Sequence, residues 1–501
     1  MKEKFMSRMI FQVALQLLNI LSAYFFVKFI AVELLGVTGR ISSYIGIFTM
    51  FLTIGLDSIY LQHSGESDFS TFFSNFFFIK STLLIVSFIA LFIFIIIVDF
   101  EFKAYFFLIA FSEILIRFTQ IINTHLRAIL KIYKAEIPNF VIGFLNAIIK
   151  IILSFNISKF SSPLSVFALN SVFFAMINLG ITIYISKGER VKSRINKKRI
   201  IQLLKETSPL IFSSIILIFN ENISNLIIDY AYGAEEFTYY YFVRAFIIVT
   251  LTTFTLSISV IYESYFAKWF NKGRTEEIQK MTRKVEKYTA IFYVVIIILT
   301  FLNGGLAFKI FLPEYQNALV ILYILIFTPL IGGLNRPYSK HLYAGKKQKI
   351  VSKYLTIRSV LFLIFLLIIV PEEIGPVRLF GFGVYGLCAL RLSFLILDYL
   401  VFKYYSWKLF SIRGEKRLFI LLPLALISLG ISYLFKDLIQ LYVEYDFLIL
   451  LLSSLFGVVI FIILSYIFKI IKQEDLTFFR EILRLSNYSE SIKEEFQEKH
   501  P

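Results

Sequence analysis

The chain has 501 residues, of which 58% are hydrophobic and 18% aromatic, and a formal net charge of +17. A mean hydropathy of +0.77 is more apolar surface than a soluble domain of this size can hide, so a water-soluble enzyme is excluded. The single cysteine, Cys388, and four scattered histidines exclude an intramolecular disulfide, a cysteine zinc cluster and an iron–sulfur site.

Apolar runs recur along the whole chain and predict about fourteen spans, each near the ~20 residues that a bilayer demands. Their expected limits are 8–30, 41–62, 72–98, 103–125, 138–157, 163–186, 207–229, 237–266, 288–311, 317–343, 350–370, 380–406, 417–435 and 444–468. Lys2, Lys4 and Arg8 precede the first run as in a signal peptide, but Gln12, Gln16 and Asn19 interrupt it; it reads as an uncleaved first span. Pro138, Pro163 and Pro209 fall near expected helix starts, where a missing N–H does no harm.

Basic residues crowd every second loop from the fourth span onward, whereas the loop after the second span carries Glu66 and Asp68 and no basic residue. Arg127, Lys131 and Lys134 follow the fourth span, and Lys187 to Arg199 carries seven cations after the sixth. Further clusters follow the eighth, tenth and twelfth spans, whereas Asp99, Glu101, Glu235, Glu236, Glu372 and Glu373 sit in the alternate loops. The alternation places both termini in the cytoplasm and explains the net charge without nucleic acid. A tail from residue 469 contains Leu476 to Leu485, which reads either as an amphipathic helix on the membrane surface or as a solvated helix.

Polar side chains inside the spans fall on helical stripes. Gln12, Gln16 and Asn19 share a face of the first span, and Asp57 lies on one face of the second with Thr49 and Thr53. Glu113, Arg117, Gln120 and Thr124 line the fourth; Glu113 and Arg117 are four apart and able to pair. Asn146 and Lys150 share a face of the fifth. In the seventh, Ser214, Glu221, Asn225 and Asp229 make one stripe, and Ser213, Asn220 and Ser224 a second. Arg244 opens a polar line along the eighth, and Arg391 and Asp398 lie seven apart in the twelfth. A carboxylate at mid-bilayer costs about 2.5–3.5 kcal/mol, so these faces look either onto other helices, as hydrogen-bonded seams, or onto a wet cavity.

Arg117, Lys150, Arg244 and Arg391 make much of this charge basic, which suits an anion such as phosphate. Asp57, Glu113, Glu221 and Asp398 are candidates for binding a coupling cation or acting as counter-ions, and Gln12, Gln16, Asn19, Asn146, Asn220 and Asn225 are candidate polar cavity groups. No metal-ligand spacing is present and no organic cofactor is expected; H+ or Na+ is the candidate coupling ion. The last two spans are nearly free of charge. The fold class expected is therefore all-α and polytopic: two parallel six-helix lobes, 1–186 and 207–406, around a central cavity. A basic loop at 187–206 would join the lobes, with peripheral helices at 407–468 and a cytoplasmic tail at 469–501.

Leu34, Leu35, Gly36 and Gly39 after the first span, Thr53 to Leu56, Ser208, Pro209 and Leu210, then Tyr232, Gly233, Ala234 and the aromatic run Phe237 to Phe242 carry a family likeness. On these residues the chain resembles bacterial oligosaccharide flippases of the polysaccharide transporter family, within the superfamily that also holds lipid II flippases and drug/cation antiporters. The family's usual glycine before the tyrosine of the eighth span is replaced by Phe237 or Thr238. The resemblance implies a non-enzymatic flippase of the bacterial inner membrane. Its cargo would be an undecaprenyl-pyrophosphate-linked oligosaccharide destined for O-antigen, capsule or other surface polysaccharide. It also implies alternating access, and work beside a polysaccharide polymerase and a chain-length regulator. A small-molecule antiporter is the alternative, and a membrane polymerase a third reading.

Overall fold

The computed structural model describes residues 2–53, 55–63, 69–100, 102–129, 131–188, 195–473 and 475. The expected surface helix at Leu476 to Leu485 lies outside them.

In chain order the helices are α1 (Lys2–Phe29), α2 (Val32–Thr49), α3 (Leu56–Gln62), α4 (Phe69–Ile97), α5 (Lys103–Ala128), α6 (Ile132–Phe155), α7 (Pro163–Ile185) and α8 (Lys197–Tyr241). A π-helical turn (Phe242–Ile248) leads into α9 (Val249–Asn271), followed by α10 (Thr275–Phe311), α11 (Leu319–Leu325), α12 (Phe327–Ala344), α13 (Gln348–Ile369), α14 (Gly383–Phe410), α15 (Leu418–Gln440) and α16 (Asp446–Ile467). Among the described residues the only strands are a two-residue pair, Glu373–Ile374 against Val377–Arg378, in one turn.

Among the described residues twelve segments are long and apolar enough to cross a membrane, with Leu17–Phe29 of α1 as a shorter apolar stretch. One of the twelve, Lys197–Thr253, is 57 residues long. At 1.5 Å per residue that is about 85 Å, nearly three times the hydrocarbon thickness. It is broken at Gly233, whose φ of 84° and ψ of 172° no helix accommodates, so it supplies two passes. The protein is thus an all-α polytopic membrane protein.

Several boundaries differ from expectation. The second span is interrupted: α2 ends in a 3-10 turn at Met50–Thr53, and Gly55 in the left-handed region starts α3. Leu34 to Gly39, which fall between the expected first and second spans, are instead helical, inside α2. Gly36 serves there as a close-approach residue, because a Cβ would lie 2.6 Å from Thr238 Oγ1. The basic loop stops at α8, which starts at Lys197 rather than near 207. Pro209 is consequently inside a helix. Its absent N–H leaves the Lys205 carbonyl without its helical donor, and Ser208 Oγ supplies one at 2.9 Å.

The chain forms two compact units. One comprises Met1–Thr238 with Tyr343–Gly383, the other Tyr239–Leu342 with Val384–Asn487. Among the described residues the first holds two large apolar cores and a small one around Leu126. Leu84, Phe88, Leu91, Phe106 and Leu164 centre one large core, and Leu56, Tyr60, Phe72, Phe76, Leu203 and Leu210 the other. In the second unit α15 and α16 pack on α10 through Val294, Ile298, Leu424 and Phe461. Asn303 of α10 fastens α16 through Ser453 Oγ at 2.9 Å and Ser454 Oγ at 2.8 Å. The opposite faces of α15 and α16 leave Leu422, Leu426, Leu434 and Leu455 exposed, as lipid contact requires.

Candidate functional site

In the first unit most of the expected polar residues are held by partners. The 3-10 break before α3 frees the Leu52 carbonyl, which Lys80 of α4 takes up at 2.5 Å while pairing with Asp57 Oδ2 at 2.8 Å. Lys80 is buried and Asp57 is half-exposed. Arg117 and Glu113 form the expected one-turn pair at 2.7 Å, both partly exposed. Arg117 also donates to Gln120 Oε1 at 3.2 Å, and its buried Nε has no acceptor among the described residues.

Two amide rungs join α6 and α7: Asn170 Nδ2 donates to Asn146 Oδ1 at 2.7 Å, and Asn178 Nδ2 to Asn139 Oδ1 at 2.9 Å. Lys150 lies one turn beyond Asn146 on the same face and makes no ion pair or side-chain hydrogen bond among the described residues. The stripes of α8 are seams. Asn220 donates to the Ser359 carbonyl of α13 at 2.7 Å, and Asn225 to Ser43 Oγ of α2 at 2.9 Å. Asp229 accepts both Nε and Nη2 of Arg40 at 2.7 and 2.9 Å. Glu221 is half-buried and partnered. Asn19 is half-buried in α1; the side chains of Gln12 and Gln16 lie outside the described residues.

The second unit holds Arg244 and Arg391, each of which has partners within the chain. Arg244 sits in the π-helical turn Phe242–Ile248, an irregularity that widens a helix and re-aims its side chains. Arg391 is in α14, one turn from Cys388, with its guanidinium 5.8 Å from the centre of the Tyr240 ring. Both guanidinium groups lie within electrostatic reach of the buried Cys388 thiol. Asp398, two turns further along α14, is buried.

Sequence reasoning missed two clusters. Arg40 had no local signal, because its partner is 189 residues away. The other cluster gathers on Glu286 of α10, which is fully buried. It accepts Tyr338 Oη of α12 at 2.6 Å and the Glu415 N–H at 2.7 Å, with Lys403 of α14 3.8 Å away. Beside it His341 bridges Ser406 Oγ at 2.7 Å and Thr282 Oγ1 at 2.9 Å. An acid set among Arg283, Lys284 and Lys287 at the end of the basic stretch 268–287 was the available clue.

Comparison with known proteins adds three findings. A model of a family of polysaccharide biosynthesis proteins matches residues 25–321, more than half of the chain. No curated protein matches the chain by sequence. Among solved structures the chain is similar to the lipid II flippase MurJ in an inward-closed conformation, with TM-score 0.67, 16% identity, and 92% of this chain and 98% of that one covered. It is similar to a multidrug resistance MATE family transporter of the MOP superfamily in an inward-facing conformation, with TM-score 0.60 and 13% identity over 80% of this chain and 98% of that one. A MOP superfamily transporter from Pyrococcus furiosus, described as having a binding pocket of reverse polarity, gives TM-score 0.61 and 13% identity, covering 81% and 95%. At such identities the likeness is one of fold.

Proposed function

Since the chain belongs to the polysaccharide biosynthesis protein family and has the fold of MurJ and the MATE transporters, we propose that it flips a lipid-linked oligosaccharide, carried on undecaprenyl pyrophosphate, to the outer leaflet of the bacterial inner membrane. The observation that carries this reading is the family match over residues 25–321, and Arg244 and Arg391 are its candidate anion site. Each has partners within the chain, and each stands on a segment long and apolar enough to cross a membrane, where a cation is expensive. A pyrophosphate, with several acceptor oxygens, suits planar guanidinium donors. Lys150, without a partner of its own, and Arg117 are the further cations assigned to the cargo. The lobes 1–186 and 207–406 then alternate access, with both termini in the cytoplasm. Asp57, Glu113, Glu221 and Asp398 are candidates for coupling to H+ or Na+.

Replacing Arg244 and Arg391 together by Gln is expected to abolish surface polysaccharide in cells that depend on this chain, at unchanged membrane protein level; Lys at both positions should restore part of it. Unaltered polysaccharide in the Gln double variant would sink the anion site. The MATE fold supports a second reading, cation-coupled antiport of small-molecule drugs; that predicts drug sensitivity with normal polysaccharide on deletion.

A further inference from the structure

Outside the groups assigned to the cargo, the second unit has a separate polar cavity where α10, α15 and the segment after α16 meet. Its volume is about 280 Å³, just under the ~300 Å³ at which pockets begin to enclose drug-sized ligands. That is room for a headgroup, not for an oligosaccharide. Its wall carries six cations, among them Arg283, Lys284, Arg417, Lys469 and Lys472, against two carboxylates, Glu415 and Asp475.

The pocket is built by the fold. Lys469 takes a left-handed φ of 56°, and the Ile470 N–H closes on the Ser465 carbonyl at 2.9 Å, capping α16 and turning the chain back. Ile470 then enters the core with α10 and α15. Asp475 is pinned by Lys287 Nζ, by Tyr288 Oη at 2.8 Å and by the Lys472 N–H at 2.7 Å. Arg417 holds the turn through the Lys469 carbonyl at 2.7 Å.

The acid and base accounts do not balance. Asp475 is occupied by Lys287, and Glu415 Oε1 accepts the Arg417 N–H at 3.2 Å. The ammonium groups of Lys284, Lys469 and Lys472 have no hydrogen-bond or ion-pair partner among the described residues. The first turn of α15 begins at this place, and a helix N-terminus adds positive potential. The floor is apolar, from Leu418, Leu421 and Ile470. It passes directly into the lipid-facing surface, where Phe419 and Leu422 of α15 and Ile467 and Phe468 at the end of α16 are exposed.

A cationic mouth over an apolar floor at the end of membrane-crossing helices matches an amphiphile with an anionic head. We propose that this pocket binds the phosphate headgroup of an anionic phospholipid from the adjoining leaflet, with its acyl chains lying along α15 and α16. Lys284, Lys469 and Lys472 grip the phosphate, and Arg417 and the start of α15 orient it. The site is independent of the cargo reading, because none of its residues belongs to that set.

The test uses the full-length protein in neutral detergent. Phosphatidylglycerol and phosphatidylcholine are titrated separately, with bound lipid counted by native mass spectrometry and melting temperature followed in parallel. The wild type is expected to retain phosphatidylglycerol and be stabilised by it, with phosphatidylcholine doing neither. The triple variant K284Q/K469Q/K472Q should bind about tenfold more weakly or worse. The charge reversal Lys472→Glu alone, which removes no internal contact, should weaken it too. Equal phosphatidylglycerol retention by wild type and both variants overturns the site. Millimolar inorganic phosphate that displaces the lipid, with the same dependence on the lysines, overturns the lipid as its source and assigns the pocket to a soluble phosphate.

Discussion

Arg40 and Asp229 illustrate what a charge inside this protein requires. A guanidinium donating through Nε and Nη2 to both oxygens of a largely buried carboxylate leaves neither charge without a partner, and Lys cannot reproduce the two-pronged geometry. Arg40→Gln is expected to lower stability by about 1–3 kcal/mol, discounted for the partly exposed arginine. Arg40→Gln with Asp229→Asn should be less harmful than the sum of the two changes, read as melting temperatures in one detergent. Additive losses would mean that the pair does not couple. Asp475 offers a pH test. Burial pushes its carboxyl up, but the hydrogen bonds from Lys287, the Lys472 N–H and Tyr288 outweigh this and hold it below the usual aspartate range. A depressed folded value means that the stabilisation is complete above the ~3.9 of free aspartate. It fades as pH falls through the lower folded value. Hydrogen exchange across 469–475, corrected for intrinsic rate, should therefore stay slow down to about pH 4 and quicken below it. Asp475→Asn should be fast already at neutral pH.

At the scale of elements, irregularities in the helices set directions that regular spans would not. Gly233 allows one 57-residue apolar segment to become two passes, and its backbone lies in a region essentially confined to glycine. A Cβ there meets no neighbouring atom within 4 Å, so Gly233→Ala isolates backbone strain from clash. It is expected to cost about 1–3 kcal/mol, seen as a lower melting temperature. Gly180→Ala, inside α7 and likewise open, should be neutral or slightly stabilising. Equal behaviour of the two would remove Gly233 as the hinge between passes. The 3-10 break before α3 works differently. It frees the Leu52 carbonyl, and buried Lys80 satisfies that carbonyl and Asp57 together. The lysine that snorkelling would carry to the surface is therefore an internal strut.

For the whole molecule, orientation is the prediction with the widest reach. Cys388 is the only cysteine and is buried, so introduced cysteines can be labelled against a quiet background. Cysteines at Glu236 and Glu372 are expected to react with a membrane-impermeant maleimide in intact cells, and those at Lys346 and Arg413 only after the membrane is opened. The reverse pattern would invert the proposed direction of transport.

Composition and period alone determined that this is an all-α polytopic membrane protein, since neither depends on which helices touch. The helical stripes located the buried polarity for the same reason: side chains four apart share a face whatever lies opposite. Which partner each stripe meets was beyond sequence. Asn220 and Asn225 read equally as seam or cavity until α13 and α2 supplied Ser359 and Ser43. Glu113 with Arg117 was legible because the pair is local; Arg40 with Asp229, and Glu286 with Tyr338, were not, because their partners arrive from distant segments. The break at Gly55 also escaped hydropathy, which records how apolar a stretch is and not its backbone angles; the break at Gly233, by contrast, falls between the expected spans 207–229 and 237–266. Tertiary structure alone brought Arg244 within electrostatic reach of the Cys388 thiol, because only packing brings residues far apart in the chain within reach of each other.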